Sequence, residues 1–500
     1  MQVKWNKQQL RDKIRACWIG KNIGGTVGAP YEGTRELLDI QGITSPKGEP
    51  IPNDDLDLQL IWLTAMEQVG PRGLNANVLG DYWLSYIPAH WNEYGVGKAN
   101  LRLGLLPPLS GEFRNEKWKY SNGAWIRSEI WACLAPGFPN IAIKYAYMDA
   151  SIDHGASEGT YAEIFTAALE SLAFVETDIR SVIENALGYI PEDCRIAKSV
   201  RKVLTEYDKG TPWQELRNEI VADNEDLGWF QAPANISYLI LGLMYGEGDF
   251  KKSVILAVNC GDDTDCTGAT CGAILGIMGG MQALPQDWVE HVGDRIIMVS
   301  ADCSYYILPK TCTEMTDRVM EMIPTVLKAN GDFFEGHHGV YMEYTDGETE
   351  FDKERALQIQ RKDRNKFHWL NEMFAEDVKE MMAYAPYSFQ LENVHIRAVV
   401  QYETEPVVSP NADFKVKVHL KNFRQDPTHL EFTVTLPEGW TADYRRMDYI
   451  SHWTTNSDAR MTWEMTIHTG ERVQPVNKVG VWITPVAHPL PLMLPLVLLG

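Results

Sequence analysis

The stretch that decides the fold is residues 259–280, NCGDDTDCTGATCGAILGIMGG. Asp262, Asp263 and Asp265 fall within four positions, and the stretch holds no lysine or arginine to neutralise them. Behind the acids, Gly268, Gly272, Gly276 and Gly280 recur at every fourth residue of an apolar run. That spacing puts the glycines on one face of a helix. A glycine costs a helix about 1 kcal/mol relative to alanine, so close approach to another backbone must offset the stripe. A second stripe, Gly20, Gly24 and Gly28, has the same spacing. Ordinary small-residue packing in a soluble core accounts for either stripe alone. The two together predict a central helix pair whose ends aim at one place.

A second acidic group opens PNDDLDLQLIWL, residues 52–63, with Asn53, Asp54, Asp55 and Asp57 ahead of an apolar-periodic helix. An Asn or Asp at a helix start ordinarily caps orphan backbone N–H groups, and that reading covers each group alone. Both groups, however, offer more carboxylates than capping uses, and neither has a basic residue close by in sequence. Clustered aspartates without counter-charges suit a hard, oxygen-seeking cation such as Mg2+. An EF-hand is excluded, because the twelfth position counted from Asp263 is Ile274. The spacing of Cys260, Cys266 and Cys271 matches no zinc pair.

Other candidates lie between these runs. GAPYEG, residues 28–33, places Glu32 just after the first glycine stripe, as an acid–base or metal group or as a solvated loop residue. SIDHGASEGTYAEIF, residues 151–165, places His154 ahead of a helix, as a ligand contact or a structural histidine. The segments 81–95 and 117–131 are dense in Trp and Tyr. Aromatics of this kind form core or offer stacking faces to a sugar or base.

The wider sequence sets the frame. From residue 6 to about 330 apolar residues recur every three or four positions, as in TYAEIFTAALESLAFVE, which predicts helices. Beyond about 388 the period becomes two. Val394, Ile396, Ala398, Val400 and Tyr402 alternate with polar neighbours, as do Phe414, Val416, Val418 and Leu420. Further alternating runs around Phe432, Trp463 and Val481 predict a small β-sandwich. The expected organisation is a helical domain over 1–330, a helical or irregular connection over 331–387, and a β-sandwich over 388–500. A formal charge of −22 argues against nucleic acid and anionic membrane as partners. The N-terminus lacks a secretory signal, and the apolar tail PLPLMLPLVLLG is too short and proline-broken to span a bilayer. Eight irregularly spaced cysteines then read as reduced core thiols in a cytoplasmic protein. The oligomeric state is not legible from the residues.

In order, GKNIGGTVGAPYEG, NDDLDLQ, SNGAWIR, DHGASEGTYAEIFTAAL and AVNCGDDTDCTGATCGAILG resemble the ADP-ribosylglycohydrolase family, which includes dinitrogenase-reductase-activating glycohydrolases. The resemblance covers residues 13 to about 300 and leaves the sandwich as an added domain. It implies a compact all-α fold with two Mg2+ ions in a cleft, Mn2+ being an alternative occupant. The ligands it implies are Asn53, Asp54 and Asp55 from one run and Asp263 and Asp265 from the other. It implies Glu32, Asp55 and Asp263 as catalytic, and Asn122, Gly123 and His154 as substrate-binding. Asn53 and Cys266 stand where the family has ligand threonines, and a soft cysteine sulfur suits Mg2+ poorly, which leaves one of the two metal positions open. The activity implied is hydrolysis of a glycosidic bond in an ADP-ribosylated or related ribosyl substrate. A furanoside-type glycosidase and a catalytically inactive ADP-ribose- or sugar-binding protein are the alternatives.

Overall fold

In the computed structural model, which describes residues 2–301, 307–331, 348–352, 378–424, 426–452, 459–486, 488 and 490–500, the two glycine stripes lie face to face. Helix α1 spans Lys7–Gly28 and packs antiparallel against the Thr264–Gly279 helix. A Cβ on Gly20 would stand 2.2 Å from the carbonyl oxygen of Gly272, and one on Gly24 would stand 1.9 Å from that of Gly268. At Gly28 the clash would be with the carbonyl oxygen of Thr264, at 2.1 Å. No side chain fits at these separations, so the stripes are what allow the helices to meet backbone to backbone. Because the pair is antiparallel, the C-terminal end of α1 and the N-terminal end of its partner finish together. Both helices are buried on every side over the contact.

Between Lys7 and Gly331 the described residues are helices and loops without a strand. Helix α2, Asp54–Val69, starts at the second acidic run, where the Asn53 side chain accepts the Asp55 N–H. The aromatic tract divides. Trp62, Trp83, Trp131 and Tyr145 form buried ring contacts in the core, whereas Trp91 is 47% exposed. No helix among the described residues is long and apolar enough to cross a membrane. Seven described cysteines are buried and unbridged.

The strands are β1 (Gln2–Asn6), β2 (Glu348–Asp352), β3 (Ser388–Glu392), β4 (Ile396–Tyr402), β5 (Asp413–Asn422), β6 (Thr428–Thr435), β7 (Thr441–Tyr444), β8 (Met447–Ile450), β9 (Arg460–His468), β10 (Val476–Pro485) and β11 (Leu492–Leu499). β1 and β2 pair alone. The others form two antiparallel sheets, ordered β3-β4-β5-β9-β7 and β11-β10-β6-β8. The two-residue period is visible in burial: Phe414, Val416, Val418 and Leu420 point inward while their neighbours face out. Val394, which continues the alternation in sequence, lies outside the strand and is 73% exposed. The apolar tail is edge strand β11, whose Leu492, Leu494, Leu496 and Leu498 are buried. Pro495 is tolerated there because an edge strand has one ladder to lose.

The chain divides into two compact units, and the division does not follow the order of the sequence. One comprises Met1–Tyr94, Lys117–Ala150 and Ser157–Lys379. The other comprises Gly95–Glu116, Ser151–Ala156 and Glu380–Gly500. Leu105, Leu109 and Phe113, expected in the helical domain, belong to the apolar core of the sandwich unit. Most of the expected 331–387 connection lies outside the described residues.

Candidate active site

The first unit holds a cavity of about 330 Å3 where the two acidic helix starts converge. Asp54, Asp55, Asp263, Asp265 and Cys266 line one part of it, with Glu32. Trp91, Tyr94, Trp229 and Phe230 line another, with Asn122, Gly123, Val299 and Ser300. The helix pair brings this about, since Gly28 ends α1 against Thr264, the first residue of its partner. Helix N-termini favour negative charge within their first turn, which suits an aspartate run at each.

Each acidic residue has a distinct post. Asp55 and Asp263 are buried and Asp265 is 6% exposed. Among the described residues, Asp55 Oδ2, Asp263 Oδ1 and Asp265 Oδ1 have no hydrogen-bond partner. Asp263 is otherwise held: Asn122 Nδ2 donates to its Oδ2 at 2.7 Å, and its own N–H donates to Asn235 Oδ1 at 3.1 Å. Tyr94 donates to Asp54 Oδ2 at 3.5 Å. Asn53 uses its Oδ1 as the cap of α2, 2.8 Å from the Asp55 nitrogen, and does not line the cavity. Asp262 faces elsewhere: its carboxylate accepts from the Tyr238 hydroxyl at 3.3 Å and stands 3.8 Å from Arg35 Nε.

The backbone of Asp262 fixes the Glu32 loop. Gly33 N–H donates to the Asp262 carbonyl and Asp262 N–H donates to the Thr34 carbonyl, both at 2.8 Å. Gly261 precedes it at φ +79°, where a Cβ would also fall 2.5 Å from the carbonyl oxygens of Thr34 and Glu36. Only glycine satisfies both conditions. Gly123 is similarly constrained, since a Cβ there would lie 2.0 Å from Glu93 Oε1.

Packing these acids together raises their affinity for protons. Burial, then the charge of Asp265, pushes Asp54 up to about 6. Partial burial and the charges of Asp265 and Asp54 push Glu32 up to about 7. Asp55 and Asp263 are raised well above the usual range, in each case mainly by burial. Lys21 opposes the rise at Asp55. One ligand atom from each of Glu32, Asp263 and Asp265 lies within 4.8 Å of the others, and the same holds for Asp55, Asp265 and Cys266. Desolvated carboxylate oxygens at this spacing fit a divalent cation.

Lys21, Glu129 and Gln59 escape a reading of the sequence. Lys21, on α1, is fully buried, with Nζ 2.7 Å from Glu129 Oε1 and 4.0 Å from Asp55 Oδ2. The first acidic group therefore does have a basic partner, and Arg35 plays that part for Asp262. A lysine set among glycines and apolar residues is the available signal for such burial. Gln59 completes the support, donating to Glu129 Oε2 at 2.9 Å and to the Asp55 carbonyl at 2.7 Å. Asp57 Oδ2 accepts the N–H groups of Val299 and Ser300, which places those residues at the cavity. His154 belongs to the second unit, fully buried with Nδ1 2.9 Å from Asp153 Oδ1, and does not line the cavity.

Known proteins are similar to the helical stretch 6–323. The ADP-ribosylglycohydrolase family profile matches residues 6–323. An uncharacterized protein of Archaeoglobus fulgidus is 24% identical over 328 residues, which cover 61% of this chain and 100% of that one. ADP-ribosylhydrolase ARH3 of Bos taurus is 25% identical over 327 residues, 56% of this chain and 88% of its own. The Homo sapiens ADP-ribosylhydrolase ARH3 is 23% identical, over the same shares of the two chains.

Proposed function

The chain belongs to the ADP-ribosylglycohydrolase family, and on that premise we propose that it hydrolyses the glycosidic bond of an ADP-ribosylated or related ribosyl substrate with a divalent metal ion. Family and relatives make it a glycosyl hydrolase. The observation that carries the finer reading is the convergence of three buried carboxylate oxygens without hydrogen-bond partners, on Asp55, Asp263 and Asp265, at one cavity. Asp54, Asp55, Asp263 and Asp265, with Glu32, would hold Mg2+ or Mn2+, since all offer hard oxygen donors. When bound, such an ion polarises sugar hydroxyls and lowers the pKa of a water molecule.

The chain's own groups then divide the work. Glu32 stands at the cavity on the loop beside Asp262, where its carboxylate can take a proton from water and return it. Asn122 and Tyr94 hold Asp263 and Asp54 in place. The carboxylates face the positive charge that develops on the sugar in an oxocarbenium-like transition state. Trp91, Tyr94, Trp229 and Phe230 supply faces for stacking and limit the access of water. His154, buried against Asp153, has no part in this scheme.

The test pairs Asp54→Ala with Asp263→Ala and follows Mg2+-dependent release of ADP-ribose from arginine- and serine-linked substrates. Loss of turnover with the fold retained supports the proposal, and full turnover overturns it. A second reading has its own observation: among the described residues, the cavity lining includes no lysine or arginine to meet a diphosphate. A neutral furanoside-type glycan fits such a lining, and a glycan panel assayed beside the ADP-ribosylated substrates separates the two.

A further inference from the structure

Cys266 lines the cavity, is 5% exposed, and its S–H donates to Asp55 Oδ1 at 3.5 Å. The other buried cysteines near the site are engaged differently. Cys260 donates to the Leu256 carbonyl, and Cys271 lies further along the helix among small and apolar residues. Among the described residues, Cys266 alone of the cysteines shares a ligand cluster with carboxylates, those of Asp55 and Asp265. Within that cluster Asp55 Oδ2 and Asp265 Oδ1 are buried without hydrogen-bond partners. The second cluster, Glu32 with Asp263 and Asp265, contains oxygen alone. The cavity therefore holds two ligand sets of different softness that share Asp265.

We propose that Asp55, Asp265 and Cys266 form a mixed oxygen–sulfur site for a borderline cation of the Zn2+ class, beside an all-oxygen site suited to Mg2+. The inference rests on the reading of this cavity as a cation site. Thiolate sulfur selects Zn2+ and its neighbours in softness over Mg2+. Three protein ligands facing an open cavity are also the arrangement in which Zn2+ keeps a position for water or substrate. Two carboxylates and a thiolate carry three negative charges, of which a divalent cation offsets two; the Lys21 ammonium stands 4.0 Å from Asp55 Oδ2 and is held 2.7 Å from Glu129 Oε1. On binding, the Cys266 S–H bond breaks, a sulfur–metal bond forms, the proton leaves to solvent, and no electron is transferred.

Co2+ is the probe, because sulfur ligation gives it a thiolate-to-metal charge-transfer band in the near ultraviolet. The full chain, stripped of metal and titrated with Co2+, is expected to show that band. Cys266→Ser should abolish it, while Cys271→Ser retains it. Competition with a chromophoric chelator should show Cys266→Ser weakening Zn2+ by at least about tenfold, because even groups that only support a metal ligand are worth about ten- to a hundredfold. Mg2+ affinity should stay within about threefold, as hard oxygen donors dominate it. Cys266→Ala gives the same comparison if the serine variant does not fold. Co2+ binding without the band, or an unchanged band in Cys266→Ser, overturns the inference and leaves the oxygen site standing. Failure of Co2+, Zn2+ and Mg2+ alike to bind overturns both this inference and the cation reading.

Discussion

The two acidic helix starts look alike in sequence and are built differently. Each has three aspartates, and in each one aspartate is committed to structure: Asp57 to the backbone at 299–300, Asp262 to Tyr238 and the Arg35 side. Two remain at the cavity from each run, Asp54 with Asp55 and Asp263 with Asp265. The first run has a buried cation behind it, Lys21, locked to Glu129. The second is held by the neutral amides of Asn122 and Asn235. A run of acids thus does not reveal which members are ligands; the counter-groups, supplied by distant segments, decide it.

The largest expected effect breaks the first run's support. In Lys21→Met the apolar stem is kept and the charge removed, so Glu129 and Asp55 are left in a dry interior without it. Breaking a buried pair in this way costs about 3–5 kcal/mol, read as a drop in unfolding free energy by denaturant titration. The double variant Lys21→Met with Glu129→Gln, which removes both charges, should recover much of the loss. Asn122 makes two buried bonds, donating to Asp263 Oδ2 and accepting from Trp125 Nε1; the one to the carboxylate is worth about 1.5–3 kcal/mol.

The second effect separates the runs from each other. Gly24→Ala would place a Cβ 1.9 Å from the Gly268 carbonyl oxygen, where backbone rather than a flexible side chain must give way. Overpacking of this kind costs about 3 kcal/mol. Because the same helix pair brings Glu32 and Asp265 to the cavity, metal affinity should fall together with stability. Calorimetric titration with Mg2+ checks the coupling, and unchanged affinity in a destabilised variant would sink it.

These comparisons show how much was legible in the residues. The glycine stripes declare themselves as a local four-residue period, and the aspartate runs because together they offer more carboxylates than capping uses. The alternation of Phe414, Val416, Val418 and Leu420 does the same for the sandwich. Lys21 was not legible, since its meaning depends on Glu129, more than a hundred residues away. Nor was the use of Asn53, whose carbonyl oxygen suits a cap and a metal equally until the Asp55 N–H is seen to take it. The assignment of Leu105, Leu109 and Phe113 to the sandwich core was equally hidden, because helical periodicity marks an apolar face without naming what covers it.

A third effect concerns pH. Burial pushes Asp54 up to about 6 and Asp57 up to about 7, from an ordinary 3.8. In the metal-free fold these groups keep protons that the unfolded chain has already lost. Their stabilising contribution is fully present below about pH 4 and is lost as pH rises through about 6 and 7. Mg2+ reverses the sign at Asp54, where it competes with the proton, so the gain in Tm on adding Mg2+ should grow between about pH 5 and about pH 7.5. At a hundredfold excess over Kd that gain corresponds to about 2.7 kcal/mol. At Asp57, which serves the backbone of Val299 and Ser300, the downward slope should persist with Mg2+ present and disappear in Asp57→Asn. A Tm gain that is flat with pH would show that protons and cation do not compete at the first run.

The smallest effect tests the division within the second run. Asp262→Asn keeps an acceptor for the Tyr238 hydroxyl, and asparagine tolerates the left-handed backbone at φ +62°. What it loses is the attraction to Arg35, a side chain 33% exposed at 3.8 Å, and to the charge of Arg217. The backbone bonds to Gly33 and Thr34 that fix the Glu32 loop do not depend on the carboxylate. Hydrolysis should therefore stay near the wild-type rate. Asp263→Asn, one position along, removes a charge from the cavity itself and should lower kcat by about a hundredfold or more, the scale of losing one preorganised electrostatic group. Steady-state kinetics on the two variants decide the matter, for an equal loss in both would mean that Asp262 acts with the cavity pair and not as the anchor of the loop beside it.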